Sequence, residues 1–162
     1  MKVILIRHGD AEADIPDGLQ DDARALTARA RHALPAHFKA LAPHIGTADV
    51  IFMSPLVRAV QTATILAQAL GYEGPLKAHR HLYPDGPVGA VEALLTELRG
   101  KTVVLVGHQP TMGVASAHFL GMAAFPKSVV PGTAIGIERP EADLTNGKLL
   151  FYAAPGQPIS EG

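Results

Sequence analysis

Three uninterrupted apolar runs constrain the fold of this chain more than any other feature: Val3-Ile4-Leu5-Ile6, Val50-Ile51-Phe52-Met53 and Thr102-Val103-Val104-Leu105-Val106. A strand with one wet face alternates apolar and polar residues; these do not, so each is expected to be buried on both faces of a sheet. Helical stripes lie between them. Leu34, Phe38 and Leu41 form the first, and Leu56, Val60, Ala63, Ala67 and Leu70 the second. Ser54 is placed to cap the second helix, with Pro55 at its first position and Gly71 as its stop. Val91, Leu94, Leu95 and Leu98 make a third stripe closed by Gly100, and a fourth helix is expected from Pro110 to near Gly121. Pro35 interrupts the first stripe and predicts a kink or a late start. Strands alternating with helices give an α/β fold, a three-layer αβα sandwich on a mainly parallel sheet. Thr133 to Glu138 and Lys148 to Tyr152 read as edge strands joined through Thr145-Asn146-Gly147. One domain is expected over residues 1–154, with 155–162 as a loose C-terminal tail.

Composition narrows the function. The 162 residues fit one domain, and 14 Lys and Arg against 15 Asp and Glu give a net charge of −1. No basic field for nucleic acid is present. No apolar stretch approaches the ~20 residues of a membrane helix, and the N-terminal run stops at Arg7, short of a signal-peptide core. The absence of cysteine excludes disulfides, thiolate catalysis and cysteine-ligated metals. A cytoplasmic protein without nucleic-acid or membrane partners is the expectation.

Each buried run ends in polar residues: Arg7-His8-Gly9-Asp10, then Ser54-Pro55-Leu56-Val57-Arg58-Ala59-Val60-Gln61-Thr62, then Gly107-His108-Gln109-Pro110. Ligands of open α/β sheets bind at the carboxyl ends of the strands. If the three strands are neighbours, Arg7, His8, Arg58 and His108 converge on one rim. Two guanidiniums and two imidazoles around one point suit a multiply charged oxyanion, phosphate first, and the helix starting at Pro110 would aim its positive end there. A cation at Arg58, early in a helix, opposes the helix dipole unless an anion is nearby.

These three clusters, in this order, resemble the histidine phosphatase superfamily with its phosphoglycerate-mutase-like fold. The likeness runs from Lys2 to about Gly121. The short length, Arg24-x-Leu26-Thr27 before the first helix and the Gly107-His108-x-Pro110 form look most like the SixA-type phosphohistidine phosphatases. Ala30 stands where the family usually has glycine. The resemblance implies that His8 is the nucleophile, taking the phosphoryl group on its imidazole before water hydrolyses it. His8 must then be neutral, and Arg7 and Arg58 push its pKa below the ordinary ~6.5. Arg7, Arg58 and His108 would bind the substrate and neutralise transition-state charge, Gly9 and Gln109 would complete the binding site, and no metal or other cofactor is required.

Ester-cleaving members of the family also use a carboxylic acid from the stretch between the second and third clusters. Here that stretch offers Glu73, Asp85, Glu92 and Glu97. Asp85, in Tyr83-Pro84-Asp85-Gly86-Pro87, is the best of the four, although Pro-Asp-Gly is also an ordinary turn; Asp10 and Glu12 are rivals. A phosphoramidate needs an acid less than an ester does, which favours a phosphohistidine substrate on a signalling or phosphorelay protein. The alternatives are a phosphomonoesterase for a small phosphorylated metabolite and a phosphate-binding module without turnover. A mutase is disfavoured by the chain's length. His79 and His81 have the spacing of a strand-borne metal pair, but Arg80 between them repels a cation, and His32, His37, His44 and His118 follow no ligand spacing.

Overall fold

The computed structural model describes residues 1–162. Strands β1 (Lys2–Arg7), β2 (Val50–Met53), β3 (Leu76–Ala78), β4 (Thr102–Gly107), β5 (Ala134–Glu138), β6 (Lys148–Ala153) and β7 (Ser160–Glu161) form one sheet, in the order β3-β2-β4-β1-β5-β6-β7. The first four run parallel, and β5, β6 and β7 each pair antiparallel with the preceding strand of the sheet. The three apolar runs are therefore adjacent, with β4 in the middle.

Their lack of alternation has the expected cause. Ile4, Ile6, Ile51, Met53, Val104 and Val106 pack against α1 (Ala28–Ile45) and α2 (Val57–Leu70) on one face. Val3, Leu5, Val50, Phe52, Val103 and Leu105 pack against α3 (Val88–Leu95) and α4 (Thr111–Phe119) on the other. Period-2 geometry thus feeds both cores from each strand. This is a single three-layer αβα sandwich.

Several local expectations change. Helix α1 starts directly after Thr27, whose Oγ1 accepts from the Ala30 amide, and continues through Pro35 and Pro43. Both prolines lie on the exposed face, where water can satisfy the carbonyl that proline leaves unpaired. Ser54 does not cap α2; that helix begins at Val57 after Leu56, which makes Arg58 its second residue. Residues 155–162 are not a loose tail. Ile159 packs on the α1/α2 core, and β7 pairs with β6, so neither β5 nor β6 is an edge strand. The edges are β3 and β7.

One buried cation leaves no mark in the sequence pattern. Arg139 is 1% exposed; its Nη2 lies 2.6 Å from Glu92 Oε1 and its guanidinium 3.8 Å over the Phe119 ring. Glu92 thereby neutralises a structural charge away from the strand ends that carry the motifs, which removes it from the acid candidates.

Candidate active site

The carboxyl ends of β1, β4 and β2 are locked together by backbone. His8 N donates to Gly107 O, Ser54 N to Val106 O, and Arg7 N to Thr133 O. A relay then fastens β1 to α2: the Gly9 amide donates to Thr62 Oγ1, which donates to Arg58 O. Gly9 lies close under α1, and a Cβ there would sit 2.7 Å from Leu34 Cδ1, so a larger residue would have to push that side chain aside. The residue serves the site through its backbone rather than by lining the pocket.

These locks bring Arg7, His8, Arg58 and His108 around one cavity of about 250 Å³, whose rim includes Asp10, Arg24, Pro84, Gln109 and Pro131. The His8 and His108 ring centroids are 5.0 Å apart. His8, Arg58 and His108 are buried, at 8%, 4% and 3% exposure, so the charge on the cavity wall is held away from bulk water.

Each functional group is oriented by a neighbour. His8 Nδ1 lies 2.6 Å from the Gly9 carbonyl. A carbonyl only accepts, so Nδ1 carries the proton and Nε2 keeps its lone pair, the tautomer a nucleophile needs. His108 Nε2 lies 2.8 Å from Ser54 Oγ; holding this imidazole is what Ser54 does in place of capping. Arg7 Nη1 donates to Val129 O. Arg58 Nη1 and Nη2 donate to Asp21 O and Asp21 Oδ2, at 3.0 and 3.1 Å. The Nε–H groups of Arg7 and Arg58 are both buried and both without a partner, and Arg7 Nη2 is left free by the single bond that Nη1 makes. Two guanidiniums with donors that the protein leaves unused, lining one cavity, suit an oxyanion that accepts from both.

Burial is the main cause that drives the His8 pKa down from 6.5 to about 4; Arg58, Arg7 and Arg24 push the same way, and the Gly9 carbonyl pulls against them. His108 falls to about 3, by burial first and then through His8 and Arg58. Both rings are neutral at pH 7. The unfolded chain takes up these two protons near pH 6.5, and the folded one only near 4 and 3, so stability falls as pH drops through that window. The His8 and His108 ring resonances are accordingly expected to hold still in NMR titration from pH 8 to 5.5, while the urea midpoint declines below pH 6.5. A ring titrating near 6.5 would show that the pocket is wetter than described.

Asp21 and Arg24 also belong to the site, although the sequence reading assigns neither a role there. Asp21, in a 3₁₀ turn over Asp21–Ala23, accepts from Arg24 Nε at 2.7 Å as well, and the two arginines hold its carboxyl below the usual carboxylate range. The anion expected near Arg58 is thus supplied internally by Asp21. Gln109 does line the cavity, but its Oε1 accepts from the Gly113 amide and caps the first turn of α4. Asp85 is not brought in: it is exposed, at φ 60°, in a turn whose Gly86 carbonyl accepts from Thr111 Oγ1, and Pro84 faces the cavity instead. Glu12 does not line the cavity, and Asp10 is the one acidic residue that does. His79 and His81 meet edge to face with ring centroids 4.5 Å apart, with His79 Nδ1 accepting from the His81 amide, and gather no third metal-ligating residue.

Comparison with known proteins agrees with this geometry. A family model described as histidine phosphatase superfamily (branch 1) matches residues 3–82. An uncharacterized protein of Picosynechococcus sp. is 33% identical, with 96% of this chain and 97% of that one covered. The structure of the protein histidine phosphatase SixA complexed with tungstate superposes at a TM-score of 0.83, with 27% identity over 96% of this chain and 97% of that one. A phosphoserine phosphatase from Entamoeba histolytica shares the fold at a TM-score of 0.70, with 17% identity over 96% and 98% of the two chains.

Proposed function

Since this chain belongs to the histidine phosphatase superfamily and is a phosphatase working through histidine, we propose that His8 is its nucleophile and that its substrate is a phosphorylated histidine on a signalling protein. In this reading His8 Nε2 attacks phosphorus as the bond from phosphorus to the leaving nitrogen breaks. The Gly9 carbonyl steadies the Nδ1–H as positive charge builds on the ring. Arg7 and Arg58 meet the non-bridging oxygens with their guanidinium N–H groups, and His108 adds a third polar group to the wall. Water then cleaves the His8–phosphorus bond and inorganic phosphate leaves.

The observation that carries the substrate choice is the absence of a buried carboxyl in the cavity. An alkoxide leaving group needs a positioned acid worth ~10²–10⁴-fold. A phosphohistidine whose second ring nitrogen is protonated departs as neutral imidazole and needs none. SixA, which this chain resembles at 27% identity and a TM-score of 0.83, is a protein histidine phosphatase.

The ester reading survives on one observation, the place of Asp10 on the rim. The test is phosphate release, in EDTA, from a phosphohistidine-bearing protein and from a panel of small phosphate esters. Faster turnover of the phosphoramidate, retained in Asp10→Asn and Asp85→Ala, is expected. Faster turnover of an ester, lost by about 10²-fold or more in Asp10→Asn, would instead make this a metabolite phosphatase with Asp10 as its acid.

A further inference from the structure

Beside the phosphate cavity lies a second depression, of about 210 Å³ and of opposite character. Its walls are mostly apolar, with Pro110, Val114 and Ala117 on the α4 side facing Phe125 and Val129 from the segment that follows, and Lys127 as its only charge. Val114 on its wall is 52% exposed, and Met122 and Val130 nearby in sequence are 47% and 42% exposed. A mostly apolar depression with so exposed an aliphatic wall, adjoining the phosphate cavity, has the character of a binding surface.

Two contacts make the two depressions continuous. Gln109 lines both. Val129 forms a wall of the apolar one while its carbonyl accepts from the Arg7 guanidinium that faces the other. Whatever is covalently attached to a phosphoryl group in the cavity, and leaves it across Gln109, therefore lies on this groove.

The rim that carries Asp10 has another chemistry. The excursion pinned at its base by the Ala11–Leu26 bridge carries Glu12, Asp14, Asp17 and Asp22, all exposed, with Asp10 just before it and Asp21 already paired with Arg24 and Arg58. That field opposes small polyanionic metabolites and favours a partner with basic residues on that side.

We propose that the groove between α4 and residues 123–129 is the docking surface for the polypeptide flanking the phosphohistidine, a segment with aliphatic side chains on the groove side and basic residues toward the Asp10–Asp22 excursion. The inference rests on the phosphohistidine reading and deepens it. It makes the protein body of the substrate, rather than the phosphorylated ring alone, the object of recognition.

Val114→Glu places a charge in the groove from an exposed helix position outside the catalytic machinery. The probes are a histidine phosphotransfer domain phosphorylated with phosphoramidate, and free phosphohistidine. The wild type is expected to favour the phosphorylated domain, and Val114→Glu to lower kcat/KM for that domain at least about tenfold, through KM, while staying within about twofold on the free amino acid. Raising salt should weaken the wild type on the domain alone. An unchanged preference for the domain in Val114→Glu overturns the groove and leaves the substrate reading intact. No release from either phosphohistidine compound by the wild type overturns the substrate reading itself. Equal loss on both compounds would show that the substitution acts on the catalytic centre, and the docking assignment would fall.

Discussion

Replacing His8 by alanine is expected to lower phosphate release by about 10⁴-fold or more, to the level left by the remaining cationic pocket. The size follows from the kind of step lost: without an imidazole Nε2 no covalent intermediate forms, and water would have to attack the substrate directly in a cavity shaped for another nucleophile. A second readout separates this from a folding defect. Wild-type protein quenched in acid-free denaturant during turnover of a ³²P-labelled substrate should carry label on His8, and His8→Ala should carry none. The variant should still bind tungstate or phosphate, because Arg7 and Arg58 keep their partners Val129 and Asp21. Removing a ring 5.0 Å from His108 leaves the backbone locks at the strand ends untouched. Undiminished turnover would transfer the nucleophile's role to another group. A wild type that binds phosphopeptide but releases no phosphate would make this a binding module.

The second large effect belongs to Arg58. Arg58→Ala is expected to cost about 10²–10³-fold in kcat/KM, the usual loss for one charged donor aimed at a transition-state oxygen. Most of it should fall on kcat. The substitution removes a buried guanidinium from the cavity wall and leaves the Asp21 carboxylate with Arg24 as its remaining cation, so the site becomes less positive toward the substrate. It also removes one of the cations that depress the His8 pKa, so the acid limb of the rate profile should move to higher pH. Arg58→Lys should rescue little. An ammonium on a flexible stem cannot hold Asp21 with two terminal nitrogens and still present a third donor to the ligand. Substantial rescue by lysine would show that Arg58 acts as charge alone.

Legibility in the sequence tracks burial. The strands β1, β2 and β4 stand out because both faces of each are packed, so the pattern of apolar residues has no gaps. The strand β3 does not, because it is three residues at an edge with Leu76 half-buried and Lys77 and Ala78 exposed. The strand β7, two residues at the other edge, is hidden for the same reason. Pro155, Gly156 and Pro158 suggest a loose tail, yet two residues of pairing and Ile159 against the core hold the segment in place.

At the site, Arg7, His8, Arg58 and His108 are readable because each ends, directly follows or lies a few residues beyond a legible strand. Asp21 and Arg24 are not, since the excursion that carries them returns to the rim only through tertiary contacts. Ser54 invites the wrong role because serine before a helix is ordinarily a cap; nothing local reveals that a histidine 54 positions away claims its hydroxyl. Arg139 shows the same limit from the core side. A buried arginine is legible only once Glu92 and Phe119 are known to surround it.

The placement of β4 between β1 and β2 has a consequence for how the chain is made. Lys2 pairs with Thr102, one hundred positions later, and at ~5–20 residues per second a ribosome needs roughly 5–20 s to supply that partner. Through that interval β1 and β2 have no shared neighbour, and their backbone edges, flanked by apolar faces, stand open to other chains. The strands that make the catalytic rim rigid in the finished enzyme are thus paired late in synthesis, β1 on both sides, since its other neighbour joins Lys2 to Glu138, further on still.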